Sequence, residues 1–66
     1  MEITVNGERH ALEAPLTVAA LLQRMGAAGR RVAVEVNQAI VPRSAHETRQ
    51  LSDGDVVELV QAIGGG

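Results

Sequence analysis

Met1-Glu2-Ile3-Thr4-Val5-Asn6-Gly7 is the stretch that decides the fold. Met1, Ile3 and Val5 alternate with Glu2 and Thr4, which is the period of a strand with one face on a core. The strand is therefore expected over residues 1–5. Asn6-Gly7 follows at once, and both central positions of a type I′ turn require positive φ, which Asn and Gly tolerate best. The chain is expected to reverse there, pairing Val5 with Glu8, Ile3 with His10 and Met1 with Leu12 along a second strand over residues 8–12.

Working outward, Pro15 biases Ala14 to an extended conformation and Thr17 stands as an N-cap. Behind it Val18, Leu21, Leu22 and Met25 recur at the i, i+3, i+4, i+7 spacing of one helix face. Gly26 closes this helix as the C′ residue. Val32, Val34 and Val36 then alternate with Ala33 and Glu35, giving a third strand over residues 32–36. Asn37-Gln38 turns the chain into residues 39–41, and Pro42, which cannot donate to a ladder, sends this short strand to a sheet edge. Ser44 with Glu47 three residues on has the spacing of a capping box, with one helical turn behind it. Leu51 is expected to anchor that turn to the core. Asp53-Gly54 marks another turn, and residues 56–63 form a strand long enough to lie centrally.

Composition narrows what such a chain can do. With 66 residues it holds one domain, too thin to wall off a catalytic cleft, so a free-standing enzyme is not expected. Apolar residues make up 45%, yet Phe, Tyr, Trp and Cys are all absent. The core must be aliphatic, and no disulfide can support it. Six arginines scattered through a chain of net charge -2 form no basic stripe, and no aromatic ring is there to stack a base, which argues against nucleic-acid binding. No apolar run approaches membrane-spanning length, and the cytoplasm is the expected location. His10 and His46 stand apart without a cysteine, so no metal site is expected; His10 should edge the inner face of the hairpin and His46 should lie in a solvated turn. Asp53, Asp55 and Glu58 form a local acidic group better read as turn chemistry and solvation than as a docking site.

On the last strand Val57 and Leu59 should face the helix, since Glu58 belongs in water. Val60 and Ala62 then face outward beside the end of the chain, the place for a docking patch. Leu21 and Leu22 are expected to pack on Ile3, Val5, Val34 and Leu59. A helix laid across one face of such a mixed sheet buries both apolar faces, and a last strand parallel to the first completes the β-grasp arrangement. The fold class is thus α+β: a mixed sheet of four to five strands, one main helix on one face, a domain over residues 1–63 and a flexible glycine tail over residues 64–66. Glycine lacks a Cβ, so Gly64, Gly65 and Gly66 could pass through a channel that larger residues would block.

The same order of elements, together with Met1 to Gly7, Val32-Ala33-Val34-Glu35-Val36-Asn37-Gln38-Ala39-Ile40-Val41-Pro42-Arg43, Asp53-Gly54-Asp55-Val56-Val57-Glu58 and Ala62-Ile63-Gly64-Gly65-Gly66, resembles the ubiquitin-like superfamily and, within it, the ThiS sulfur carriers of thiamine biosynthesis. The resemblance runs over essentially the whole chain. It implies that the carboxylate of Gly66 is adenylated by an ATP-using, ThiF-like partner resembling ubiquitin-activating enzymes. It further implies conversion to a thiocarboxylate and delivery of the sulfur to a ThiG-like thiazole synthase. Ile63, Ala62 and Val60, with Gly64 and Gly65, would form the partner-binding end. No cofactor would be bound by the carrier itself, ATP and the sulfur donor being used by the partners. The small subunit of molybdopterin synthase shares the fold and the glycine terminus and stays open as an alternative. So do a ubiquitin-like modifier and a β-grasp module that binds without covalent chemistry.

Overall fold

The structure is a computed structural model and describes residues 1–61. Residues 62–66, with the end of the last strand, the predicted outward position of Ala62 and the glycine tail, lie outside the described residues. Within those residues the order is β1 (Glu2–Val5), β2 (Glu8–Ala11), α1 (Val18–Arg24), β3 (Val32–Val36), β4 (Ala39–Val41), a 3₁₀ turn (Arg43–Ala45) and β5 (Val56–Gln61). The strands form one sheet in the order β2-β1-β5-β3-β4. Its β1–β5 pair is parallel and the other three are antiparallel.

The hairpin has the expected register, with Ile3 opposite His10 and Val5 opposite Glu8. Met1 and Leu12 extend it: the Leu12 N–H donates to the Met1 carbonyl at 2.7 Å and the Met1 ammonium donates to the Leu12 carbonyl at 2.9 Å. Asn6 and Gly7 take φ of 50° and 85°, as the tight turn demands. The second tight turn is built without glycine, since Asn37 and Gln38 stand at φ 52° and 69°. A side chain at positive φ costs energy, and glutamine is less at ease there than asparagine.

Thr17 caps α1 as expected, its hydroxyl accepting from the Ala20 N–H at 3.1 Å. Val18, Leu21 and Leu22 are the buried residues of the helix. Met25 does not join them. The helix ends at Arg24 with Met25 as its C-cap, so the i+7 position falls past the last turn and the side chain is 38% exposed. The predicted capping box does not form either. Pro42, at φ -64°, begins the turn, and its carbonyl accepts from the Ala45 N–H at 2.8 Å. Ser44 therefore sits inside the 3₁₀ turn rather than ahead of it, and the turn has no side-chain cap.

The core gathers Ile3 and Val5 of β1, Leu12 just past β2, Val18, Leu21 and Leu22 of α1, Val34 and Val36 of β3, Val41, Leu51 and Val57. Leu59 packs on its edge, partly buried. Leu51 is tied in by its N–H to the Leu16 carbonyl at 2.8 Å, and its side chain is 2% exposed. Two of the three acidic residues are structural acceptors: Asp53 Oδ1 takes the Glu2 N–H at 2.7 Å, and the buried Asp55 carboxylate takes the Ser52 N–H at 2.7 Å and the Asn37 amide at 3.0 Å. Asp55 is thus no part of a charged surface.

Leu21 is fully buried beneath the sheet in an aliphatic core with no aromatic ring to collapse into a vacancy. Leu21→Ala is expected to lower unfolding free energy by about 2–5 kcal/mol, measured by urea denaturation. A loss well below about 1 kcal/mol would contradict the assigned helix face.

Candidate functional site

The outgoing half of β5 leads to residues 62–66, so the site is built around it. On one edge β3 accompanies β5 to its last described residue, with Val34 opposite Leu59, Ala33 opposite Val60 and Val32 opposite Gln61. On the other edge β1 stops early, for its register with β5 covers only Thr4 with Val56 and Val5 with Val57. Strand pairing alone would leave Leu59 open on that side.

Asn6 fills the gap. Its backbone N–H donates to the Val57 carbonyl at 2.9 Å, continuing the parallel ladder into the turn. Its side-chain amide then does what the next residue of β1 would have done: Nδ2 donates to the Leu59 carbonyl at 3.2 Å and Oδ1 accepts the Leu59 N–H at 2.7 Å. Asn37 plays the matching part where β5 begins, Oδ1 accepting the Val56 N–H at 2.9 Å while the Asn37 N–H reaches the Val56 carbonyl at 2.8 Å. Both asparagines were expected only as turn residues. A side chain carrying donor and acceptor on one short stem is the signal that an Asn-Gly or Asn-Gln turn can also clasp a neighbouring strand.

The two faces of β5 divide as expected. Val57 is buried and Leu59 half-buried against the core, whereas Val56 and Val60 are 47% and 56% exposed on the outer face. Ile40, at 75% exposed on β4, adds a third large aliphatic residue to the exposed surface of the sheet. Exposed branched aliphatics beside the outgoing strand form a surface that a protein partner could cover. Of the predicted site residues, Val60 is therefore placed on this face. Ala62, Ile63, Gly64, Gly65 and Gly66 lie outside the described residues.

The histidines contribute to structure. His46 is half-buried, contrary to its expected place in a solvated turn. Its Nε2–H donates to the Val41 carbonyl at 3.1 Å, while its backbone carbonyl accepts the Ala19 N–H at 2.7 Å. It thereby ties the 3₁₀ segment to both β4 and α1. His10 edges the inner side of the hairpin, half-buried, as expected. Among the described residues no three His, Asp or Glu side chains come together as a metal-ligand set.

A mixed five-stranded sheet with one helix across it, and a central strand running out toward a glycine-rich end, defines a ubiquitin-like β-grasp domain. Comparison with known proteins narrows the class. The chain belongs to the ThiS family, whose model matches residues 2–66. The crystal structure of the thiamine biosynthesis protein ThiS from Geobacter metallireducens is similar over 100% of both chains, with a TM-score of 0.85 and 35% identity. A thiazole synthase of Paramagnetospirillum magneticum is 46% identical over 66 residues; the match takes in all of this chain but only 20% of the synthase. The chain thus spans about a fifth of that relative's length. The protein ycf40 of Porphyra purpurea is 30% identical over 66 residues, with 93% of its length covered.

Asn6→Gly keeps a residue suited to positive φ but removes the clasp on Leu59. It is expected to cost about 1 kcal/mol, the scale of a hydrogen-bonded pair partly replaced by water. Hydrogen exchange should show the Leu59 amide losing protection while the Val34 amide in β3 keeps its own. Unchanged exchange at Leu59 would mean that the clasp adds nothing to the strand.

Proposed function

We propose that this chain is a sulfur carrier of thiamine biosynthesis whose working group is the backbone carboxylate of Gly66. The observation that carries the reading is the placement of β5: a strand held on both edges at Leu59 leads directly into Ala62-Ile63-Gly64-Gly65-Gly66. Fully extended, the five residues after Gln61 span roughly 17 Å, enough to carry a carboxylate well away from the domain and into a partner's site. Membership in the ThiS family and the likeness to a thiamine biosynthesis protein support the pathway.

The chemistry asks nothing of this chain's side chains. In an ATP-using, ThiF-like partner a Gly66 carboxylate oxygen attacks the α-phosphorus of ATP, the bond to the β-phosphate breaks and pyrophosphate leaves. The acyl-adenylate then accepts a sulfide nucleophile at its carbonyl carbon, AMP leaves, and a thiocarboxylate remains. Its sulfur passes to a ThiG-like thiazole synthase. That a thiazole synthase contains a segment 46% identical to this whole chain supports such a partner, because two functions joined in one polypeptide work on a shared substrate. It favours thiamine over molybdopterin. The carrier is a covalent substrate of its partners and binds no cofactor of its own; ATP and the sulfur donor belong to them, and the cytoplasm supplies both.

Glycine at positions 64 and 65 meets the steric demand of a channel, while Ile63, Ala62 and Val60 offer apolar surface at its mouth. Removing Gly66 is expected to leave thermal melting unchanged and to abolish thiocarboxylate formation. It moves the carboxylate back by about 3.3–3.6 Å, and attack on a phosphorus centre tolerates far less displacement. Gly65→Val keeps the carboxylate but adds bulk, and should slow the same reaction by a large factor. Val60→Asp should weaken association with both partners while the free protein stays folded, since an unpaired carboxylate is costly at an interface. Variants that are activated and bound at the unmodified rate and affinity would refute the carrier reading in favour of non-covalent recognition.

A further inference from the structure

A cleft of about 790 Å³ opens between α1, residues 27–33 and residues 43–47. Three of the six arginines, Arg30, Arg31 and Arg43, line it against only one of the eight acidic residues, Glu47. Even with Arg31 set aside, Arg30 and Arg43 outweigh Glu47 by one positive charge, in a chain of net -2. Arginines that look scattered along the sequence are gathered by topology. Arg31 precedes β3, Arg43 follows Pro42 after β4, and the antiparallel pairing of those strands brings the start of one beside the end of the other. Val32, the first residue of β3, lies opposite Gln61. The positive cleft thus stands at the end of the sheet where β5 runs out.

We propose that this cleft seats an acidic, extended segment of the partner protein that receives the residues beyond Gln61. Charge complementarity chooses the occupant. Arg30 and Arg43, exposed residues on two separate segments, can each pair with a carboxylate, and Arg presents the planar fork that carboxylates match. Residues 27–29 wrap the carbonyl end of α1, where the Ala27 N–H already serves the Leu22 carbonyl at 2.7 Å and so is not left to bind a compact anion. The small residues Ala19, Ala28 and Gly29 also line the cleft and leave room for a peptide backbone to lie close. His46 holds the 43–47 segment in position through Val41. Opposite charge at the mouth of a partner's channel would speed and orient docking without taking part in the chemistry.

Only the partner's identity rests on the carrier reading, because binding is measured without ATP or activation. A peptide of alternating glutamate and alanine is titrated into the full chain, and backbone amide shifts are followed by NMR. Shifts grouped in residues 27–33 and 43–47, weakening several-fold between low and physiological salt, are expected. Arg30→Glu with Arg43→Glu should lower affinity about tenfold or more, while Arg9→Glu with Arg24→Glu, the same change in net charge outside the cleft, should lower it far less. Thermal melting checks folding, and Arg30→Gln with Arg43→Gln replaces the first pair if it does not fold. Equal losses in both pairs, shifts outside the cleft, or equal shifts with inorganic phosphate would overturn the proposal. In every such case the carrier chemistry stands.

Discussion

The pairing of β5 between β1 and β3 is the constraint on which the rest of this molecule depends. A chain of 66 residues without an aromatic ring or a disulfide has little apolar area with which to hold a fold together. Placing the final strand at the centre of the sheet lets one element satisfy two edges and bury Val57 at once. It also aims the chain. Because β5 is fixed by neighbours on both sides, its direction up to Gln61 is set by the core.

The parallel partner makes this possible and also creates its one weakness. β1 must turn back at Asn6-Gly7 to form the hairpin, so it cannot accompany β5 outward. The Asn6 amide replaces the missing strand with two hydrogen bonds to Leu59, and Asn37 secures the opposite end through Val56 and Asp55. Buried Asp55 belongs to this same device, which is why an acidic residue persists in an aliphatic interior: its two oxygens accept from Asn37 and from the Ser52 backbone. Folding energy is spent on holding the ends of one strand, and the outer aliphatics Val56 and Val60 are left exposed.

Much of this was legible in the sequence, for identifiable reasons. The alternation in residues 1–5 and 32–36, Asn6-Gly7, Thr17 and Pro42 each act through local sterics or hydrogen bonding, and each yields the element expected of it. Val60 follows from the same logic, since Glu58 fixes which face of β5 meets water. What stayed hidden depends on residues far apart in the chain. Nothing local says that Asn6 reaches Leu59 or that His46 bonds Val41, and nothing local gathers Arg30 and Arg43 around one cleft. The misplaced cap at Ser44 has another cause: Pro42 started the turn earlier, a competition between two valid local signals. Met25 failed because helix length, not periodicity, decided its burial.

In the carrier reading, folding and chemistry are separated along the chain, with the domain supplying address and aim and Gly66 supplying the reacting group. The most direct test is intact mass after the full-length protein is incubated with ATP, sulfide and the activating enzyme, followed by fragmentation from the C-terminal side. The account predicts a mass gain equal to one oxygen replaced by one sulfur, localised to Gly66. A protein that stays at its original mass in the presence of an enzyme active on its own ThiS, or one modified on an internal residue, would contradict it.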